Sequence, residues 1–170
     1  MSALRGLSRR TAMLVASACA TRAAPRSSDV LLVVVRATLA WIFVYYGAGK
    51  LFGTFHGPGL HRTALYFASS AHLQPGLLFA VLGGVIEFAG AVALVLGLAS
   101  RLAALALVGD MVMAVVTVTG ANGINSESVT PGYELNLALG VLALVIVVLG
   151  AGRYSLDALI TGPRRARRGP

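Results

Sequence analysis

Residues Gly76 to Leu98 read GLLFAVLGGVIEFAGAVALVLGL. The run carries one charge, Glu87, and starts directly after Pro75, a residue that suits a helix start and disrupts a helix interior. At about 1.5 Å rise per residue, about 20 residues cross a hydrocarbon core of about 30 Å. Strands usually stop at about 4–8 residues, so the length of this stretch selects a membrane-crossing helix over a buried strand.

Three further runs of the same kind surround it. Leu102–Thr119 (LAALALVGDMVMAVVTVT) is charged only at Asp110, and Ala99, Ser100 and Arg101 leave so little slack before it that the two helices must form an antiparallel hairpin. Val30–Phe52 (VLLVVVRATLAWIFVYYGAGKLF) is apolar apart from Arg36 and Lys50, and Tyr133–Gly150 (YELNLALGVLALVIVVLG) carries only Glu134 near its start. The composition agrees: 57% of the 170 residues are hydrophobic and 12% charged, against about 25% charged in soluble domains. Mean hydropathy is +0.82, yet the net charge is +8, so the basic residues are segregated from the apolar runs. The expected fold is all-α: an integral membrane four-helix bundle over residues 30–160, preceded by a basic, disordered tail over 1–29 and followed by a basic tail over 161–170.

Basic residues in short loops and tails stay on the cytoplasmic side. Arg5, Arg9, Arg10, Arg22, Arg26, Arg101, Arg153, Arg164, Arg165, Arg167 and Arg168 fall on one face, and Lys50 and Arg62 on the other. Both termini are therefore expected in the cytoplasm, with the chain passing several times through a bacterial cytoplasmic membrane. The positive tails then lie against anionic lipid headgroups rather than nucleic acid. Ser8-Arg9-Arg10-Thr11 faintly resembles a twin-arginine signal, and the tail is also compositionally compatible with a transit peptide. Cys19, the one cysteine, lacks the preceding large aliphatic residue of a lipobox and is read as an inert thiol; it excludes an intrachain disulfide, a CxxC pair and a four-cysteine zinc site. His56, His61 and His72 all fall between Gly53 and Gln74, where they read as solvated loop residues rather than metal ligands. Thr63–Ala71 in the same stretch reads as a short interfacial helix capping the bundle.

A charge at bilayer depth persists only with a partner, a proton or a water-filled cavity. Counting from the span ends puts Glu87 and Asp110 near the midplane and Arg36 about 6 Å to the cytoplasmic side of it. A cluster of Arg36, Glu87 and Asp110 is geometrically possible, with the two carboxylates sharing a proton; the plainer alternative is a buried ion pair, or a protonated carboxyl bonded to a backbone carbonyl, that only registers the helices. Lys50 and Glu134, near the outer span ends, suit an interfacial salt bridge. Tyr45, Tyr46 and Tyr133 suit an aromatic belt or, equally, the rim of a quinone headgroup site. Gly83, Glu87, Gly90, Leu94 and Gly97 share one helix face, on which glycines let another backbone approach and which turns Glu87 inward. No phosphate-binding glycine loop and no Ser/His/Asp or Cys/His constellation can be assembled, which argues against a self-sufficient hydrolase.

Four motifs in order, Tyr46-Gly-Ala-Gly-Lys50-Leu-Phe-Gly53, Gly84-Val-Ile-Glu87-Phe-Ala-Gly90 with Arg101-Leu-Ala-Ala, Asn122-Gly123, and Gly132-Tyr-Glu134-Leu-Asn136-Leu, resemble the DoxX family of small four-span bacterial membrane proteins, over about residues 30 to 160. Arg36, Asp110 and the basic tail are not part of that pattern. The resemblance implies kinship with the membrane subunit of thiosulfate:quinone oxidoreductase and with membrane assemblies that handle oxidative stress alongside soluble redox and sulfur-transfer enzymes. It implies Lys50, Glu87, Glu134 and Asn136 as polar site residues. The expected function is a membrane subunit of a redox complex that anchors a partner enzyme and presents quinone to it. Glu87, Glu134 or Asp110 would handle protons, and Lys50, Tyr46, Tyr133, Asn136 and Arg36 would contact the ligand. No intrinsic cofactor and no metal is expected, a homo-oligomer is compatible, and a redox partner protein is required because the chain shows no flavin, haem or iron–sulfur motif. The alternatives are a small proton-coupled transporter using Glu87, or a non-catalytic membrane scaffold.

Overall fold

A computed structural model describes residues 26–125 and 131–161. The expectations for Cys19, for the signal-like stretch and for the C-terminal basic tail fall outside those residues. The described residues are helical, without strands: α1 (Arg26–Phe52), α2 (Gly59–Ser69), α3 (Gly76–Leu96), α4 (Ser100–Ala114), α5 (Glu134–Leu149) and α6 (Leu156–Thr161). Beyond Ala114, α4 continues through a π-helical turn, Val115–Thr119, and a 3-10 turn, Gly120–Asn122. Three helical stretches, Ser27–Phe52, Gly76–Leu96 and Ser100–Asn122, are long and apolar enough to cross a bilayer, and α5 is a shorter apolar helix of 16 residues.

Apolar runs and helices coincide closely, and the differences have local causes. α1 begins at Arg26, ahead of the apolar run, because the Asp29 carboxylate accepts from the backbone N–H of Arg153 at 3.1 Å and ties the first turn down. α5 is shorter than its run because Tyr133 serves as its cap, donating its N–H to Gly123 O, and Gly150 leaves the helix at φ +81°. The short helix expected over Thr63–Ala71 instead spans Gly59–Ser69, and the Thr63 hydroxyl donates back to Gly59 O at 2.8 Å.

The core is one layer to which every long helix gives large and small residues in alternation: Leu39, Ala40 and Phe43 from α1, Ala91 and Leu94 from α3, Ala104 and Leu107 from α4, Ala143 and Ile146 from α5. Alanines and glycines let the backbones close in, the packing device of helices in lipid. On α3 the buried face runs Ala80, Gly84, Glu87, Gly90, Ala91 and Leu94, so Glu87 points inward as its spacing requires. Of the two adjacent glycines it is Gly84 that packs on Leu51 of α1, while Gly83 faces Asp110. The outer surface carries Trp41, Val92, Leu102, Leu105, Val112 and Val116, all exposed. A continuous apolar exterior of that extent matches hydrocarbon rather than water.

Arg36 does not join Glu87 and Asp110. Its guanidinium lies at the opposite end of the bundle, donating to Leu94 O (2.9 Å), Val95 O (3.1 Å), Ala151 O and Tyr154 O (2.6 and 2.9 Å). The last carbonyls of a helix have no intrahelical partner, and a planar five-donor group satisfies several at once. α3 therefore ends against Arg36, and the chain after α5 is strapped beneath it.

The α3–α4 hairpin is closed by the same strap. Gly97 and Ala99 turn at positive φ (+67° and +46°), and Leu98 N–H donates to Ala93 O. Asp157 of α6 then accepts from the N–H groups of Ala99 (2.7 Å) and Ser100 (2.9 Å), capping α4 from a distant segment, while its own N–H donates to Gly97 O.

Candidate functional site

At the loop end of the bundle α1, α3 and α4 enclose a cavity of about 700 Å³, within the usual size of small-molecule sites. Tyr46 and Lys50 of α1 form one wall, Phe79, Leu82, Gly83 and Ile86 of α3 and Ala106, Gly109, Asp110 and Met113 of α4 the sides, and Asn136 of α5 a corner. Pro58, Arg62, Thr63, Tyr66, Phe67 and Leu73, from α2 and its flanks, roof it over.

The polar end of this apolar cavity is assembled by close backbone contact. Gly47 presses on α3 so tightly that a Cβ there would sit 2.6 Å from Phe88 N and 3.0 Å from the Glu87 Cβ. One helical turn further along α1, Lys50 then meets Glu87: Nζ donates to Oε1 at 2.8 Å, with the carboxylate side chain 3% exposed and the lysine 26%. Asp110 of α4 lines the same cavity, its Oδ1 turned towards Gly83 of α3. Glu87 Oε2 and Asp110 Oδ2 are buried and take no donor from the described residues. One ammonium beside two carboxyl groups is neutral when a single proton is shared between them, an arrangement suited to proton handling beside a cavity.

A second polar edge comes from the π-helical turn. A π turn leaves backbone carbonyls out of the regular ladder and often marks a functional segment. Here Thr117 Oγ1 donates to Met113 O (2.8 Å), Thr119 Oγ1 donates to Ala114 O (3.4 Å), and Asn136 Nδ2 donates to Thr119 Oγ1 at 3.0 Å. Thr117, Thr119 and Asn136 all line the cavity.

Of the residues singled out in the sequence, Tyr46, Lys50, Asp110 and Asn136 line the cavity and Glu87 stands directly behind Lys50. Arg36, Tyr133 and Glu134 do not line it. Glu134 is exposed in the first turn of α5 and Lys50 is paired with Glu87, so the interfacial Lys50–Glu134 bridge does not form. Tyr45 lies outside the cavity too, its ring stacked on Phe55 at 5.3 Å. The three histidines are exposed. The residues that sequence reasoning missed are those of the roof, Arg62, Tyr66 and Phe67, Met113 near the end of α4, and Thr117 and Thr119 of the π turn. The roof had a signal in the amphipathic TALYFASSA stretch; the π turn had none beyond two threonines in an apolar run.

A family model described as DoxX matches residues 31–120, more than half of the chain. The matched stretch contains Tyr46, Lys50, Glu87 and Asp110, the roof and the π turn, and stops short of Asn136. Comparison with curated proteins and with solved structures gives no match.

Proposed function

We propose that this protein, which belongs to the DoxX family, is a multi-pass protein of the bacterial cytoplasmic membrane, both termini cytoplasmic. In our reading it is the membrane subunit of a redox complex, presenting a quinone to a soluble oxidoreductase anchored at its surface. One observation carries this reading: a largely apolar cavity of about 700 Å³ ends on Lys50 and Asp110, with Glu87 behind them. A quinone headgroup is a flat apolar ring bearing carbonyl oxygens that accept hydrogen bonds. Lys50 can donate to one such oxygen, the protonated Glu87–Asp110 pair supplies a proton beside it, and Tyr66, Phe67 and Phe79 offer ring faces.

Reduction of a quinone to the quinol takes two electrons and two protons. The electrons must come from a partner protein, because the chain shows no electron-carrying motif; the protons pass by way of the carboxyl pair. The oxidative-stress and sulfur-compound roles implied by the family resemblance suit such a partner-dependent subunit, whether one copy or a homo-oligomer is assembled. Purification in mild detergent tests the reading. Quinone and a soluble oxidoreductase that co-purify, with quinone reduction dependent on both, support it, and proton flux in liposomes without quinone binding would replace it with a proton-coupled carrier. Indifference to Glu87→Gln in both assays, with the fold retained, would leave a scaffold.

A further inference from the structure

The water-facing side and the lipid-facing side of the cavity are built very differently. On the water side the roof is closed by tight backbone contacts. Gly57 lies against Gly49 so closely that a Cβ on Gly57 would fall within 2.6 Å of the Gly49 carbonyl carbon and oxygen, and Gly76 lies against Ala64 and Ala68 of α2 just as tightly. Tyr66 and Ser70 join in a backbone hydrogen bond of 2.8 Å that closes α2, and Leu73 N–H donates to Phe67 O at 2.9 Å, pinning the segment that returns to α3. On the lateral side, between α3 and α4, no such lock is found among the described residues. Leu82 of α3 and Ala106, Gly109 and Met113 of α4 line the cavity and are themselves exposed. Ala106, Gly109 and Met113 recur at helical spacing on one face, and a Cβ added at Gly109 would meet nothing within 4 Å.

The geometry points to a lateral portal between Leu82 and Gly109, through which a membrane-dissolved single-tailed quinone reaches Lys50 and Asp110 from the hydrocarbon, its tail left lying in the portal. This rests on the quinone reading above and adds to it the route, the requirement for a tail and the residue that sets it. Gly109 acts here as a specificity residue: its missing side chain is the width of the opening. The tail gains the apolar walls of Leu82, Ile86 and Met113, and the headgroup needs no path through the roof.

Two measurements on the full chain in lipid nanodiscs separate the portal from the quinone reading. The first is equilibrium binding of a tail-less benzoquinone and of the same headgroup carrying two isoprene units. Wild type binds the tailed probe at least tenfold more tightly, and Gly109→Phe, whose Cβ would meet nothing within 4 Å, weakens the tailed probe by tenfold or more and so removes the preference for a tail. Equal binding of both probes by wild type, or a Gly109→Phe variant that binds the tailed probe as wild type does, overturns the portal and leaves the quinone reading standing. Wild type binding neither probe overturns the quinone reading. The second measurement holds whatever the headgroup: a nitroxide attached through Gly109→Cys in a Cys19→Ser background is relaxed by dissolved oxygen rather than by a water-soluble nickel chelate. Dominance of the chelate would show the cavity opening to water and overturn the portal independently.

Discussion

Lys50 on α1 and Glu87 on α3 are joined at 2.8 Å, with the carboxylate sealed in and the ammonium facing the cavity. The pair thus connects a buried charge to a place where a ligand can feel it. Removing one partner of a buried pair strands the other and costs about 3–5 kcal/mol, less where the stranded carboxylate takes up a proton. Lys50→Met and Glu87→Gln are each expected to lower the detergent melting temperature. The double variant should lose less than the sum, with an interaction energy of about 1–3 kcal/mol in the cycle. Strictly additive losses would mean the pair is not formed.

Arg36 makes a different prediction because its partners are carbonyls. Arg36→Met strands Leu94 O, Val95 O, Ala151 O and Tyr154 O together, and a loss of about 3 kcal/mol or more is expected, since each stranded buried group costs about 1–3 kcal/mol. Arg36→Lys should recover little, because a point charge cannot span four acceptors. Quinone binding by the folded fraction should be unchanged, as Arg36 lies at the far end of the bundle. Loss of binding without loss of stability would contradict this placement.

Asp157 predicts an acid limb of stability. Burial alone would raise its carboxyl, but the N–H groups of Ser100 and Ala99 and the nearby Arg36 guanidinium outweigh that and hold it below its ordinary 3.8. A depressed folded-state value means that the stabilisation is fully present above the unfolded value and disappears as pH falls through the folded one. Asp157→Asn, which keeps one acceptor and loses the charge, is expected to cost about 1 kcal/mol at neutral pH, as lost helix caps do. The gap to wild type should narrow below pH 3.8. Melting curves recorded across pH check this; a gap constant down to strongly acid pH would contradict it.

Gly47 predicts a steric effect transmitted to the site. A side chain at 47 must push α3 away, since Phe88 N lies 2.6 Å from where its Cβ would be. Gly47→Val is expected to cost about 1–3 kcal/mol by overpacking and to separate Lys50 from Glu87. Gly140→Ala, whose Cβ would meet the Met111 Cβ at an ordinary 3.5 Å, should be close to neutral. Denaturation of both variants in the same detergent gives the comparison.

The four apolar runs, the hairpin and the inward face of Glu87 were legible in the sequence because each depends on local spacing. The partners of the charges were not. Counting depth from span ends placed Arg36 nearer Glu87 than it is, since the count knows nothing of where orphan carbonyls gather; Arg36 bonds residues 58 and 115 positions away. Lys50 looked interfacial because it sits near the end of α1. That end is covered by α2 and its flanks, so the interface begins further out and the lysine turns inward to Glu87. Asp110 was legible as a buried charge, but the cavity beside it was not, because its walls come from helices distant in sequence and its roof from α2 and its flanks.

The central claim is that a quinone headgroup rests against Lys50 and Asp110, and photolabelling tests it most directly. An azido-substituted quinone irradiated with the purified protein in nanodiscs, followed by peptide mapping, is expected to mark the segments bearing Tyr66, Met113 and Thr117. Excess unmodified quinone should compete this away, and Lys50→Met should abolish it. Labelling spread over the outer surface at Trp41 and Val116, insensitive to competitor and to Lys50→Met, would contradict the account.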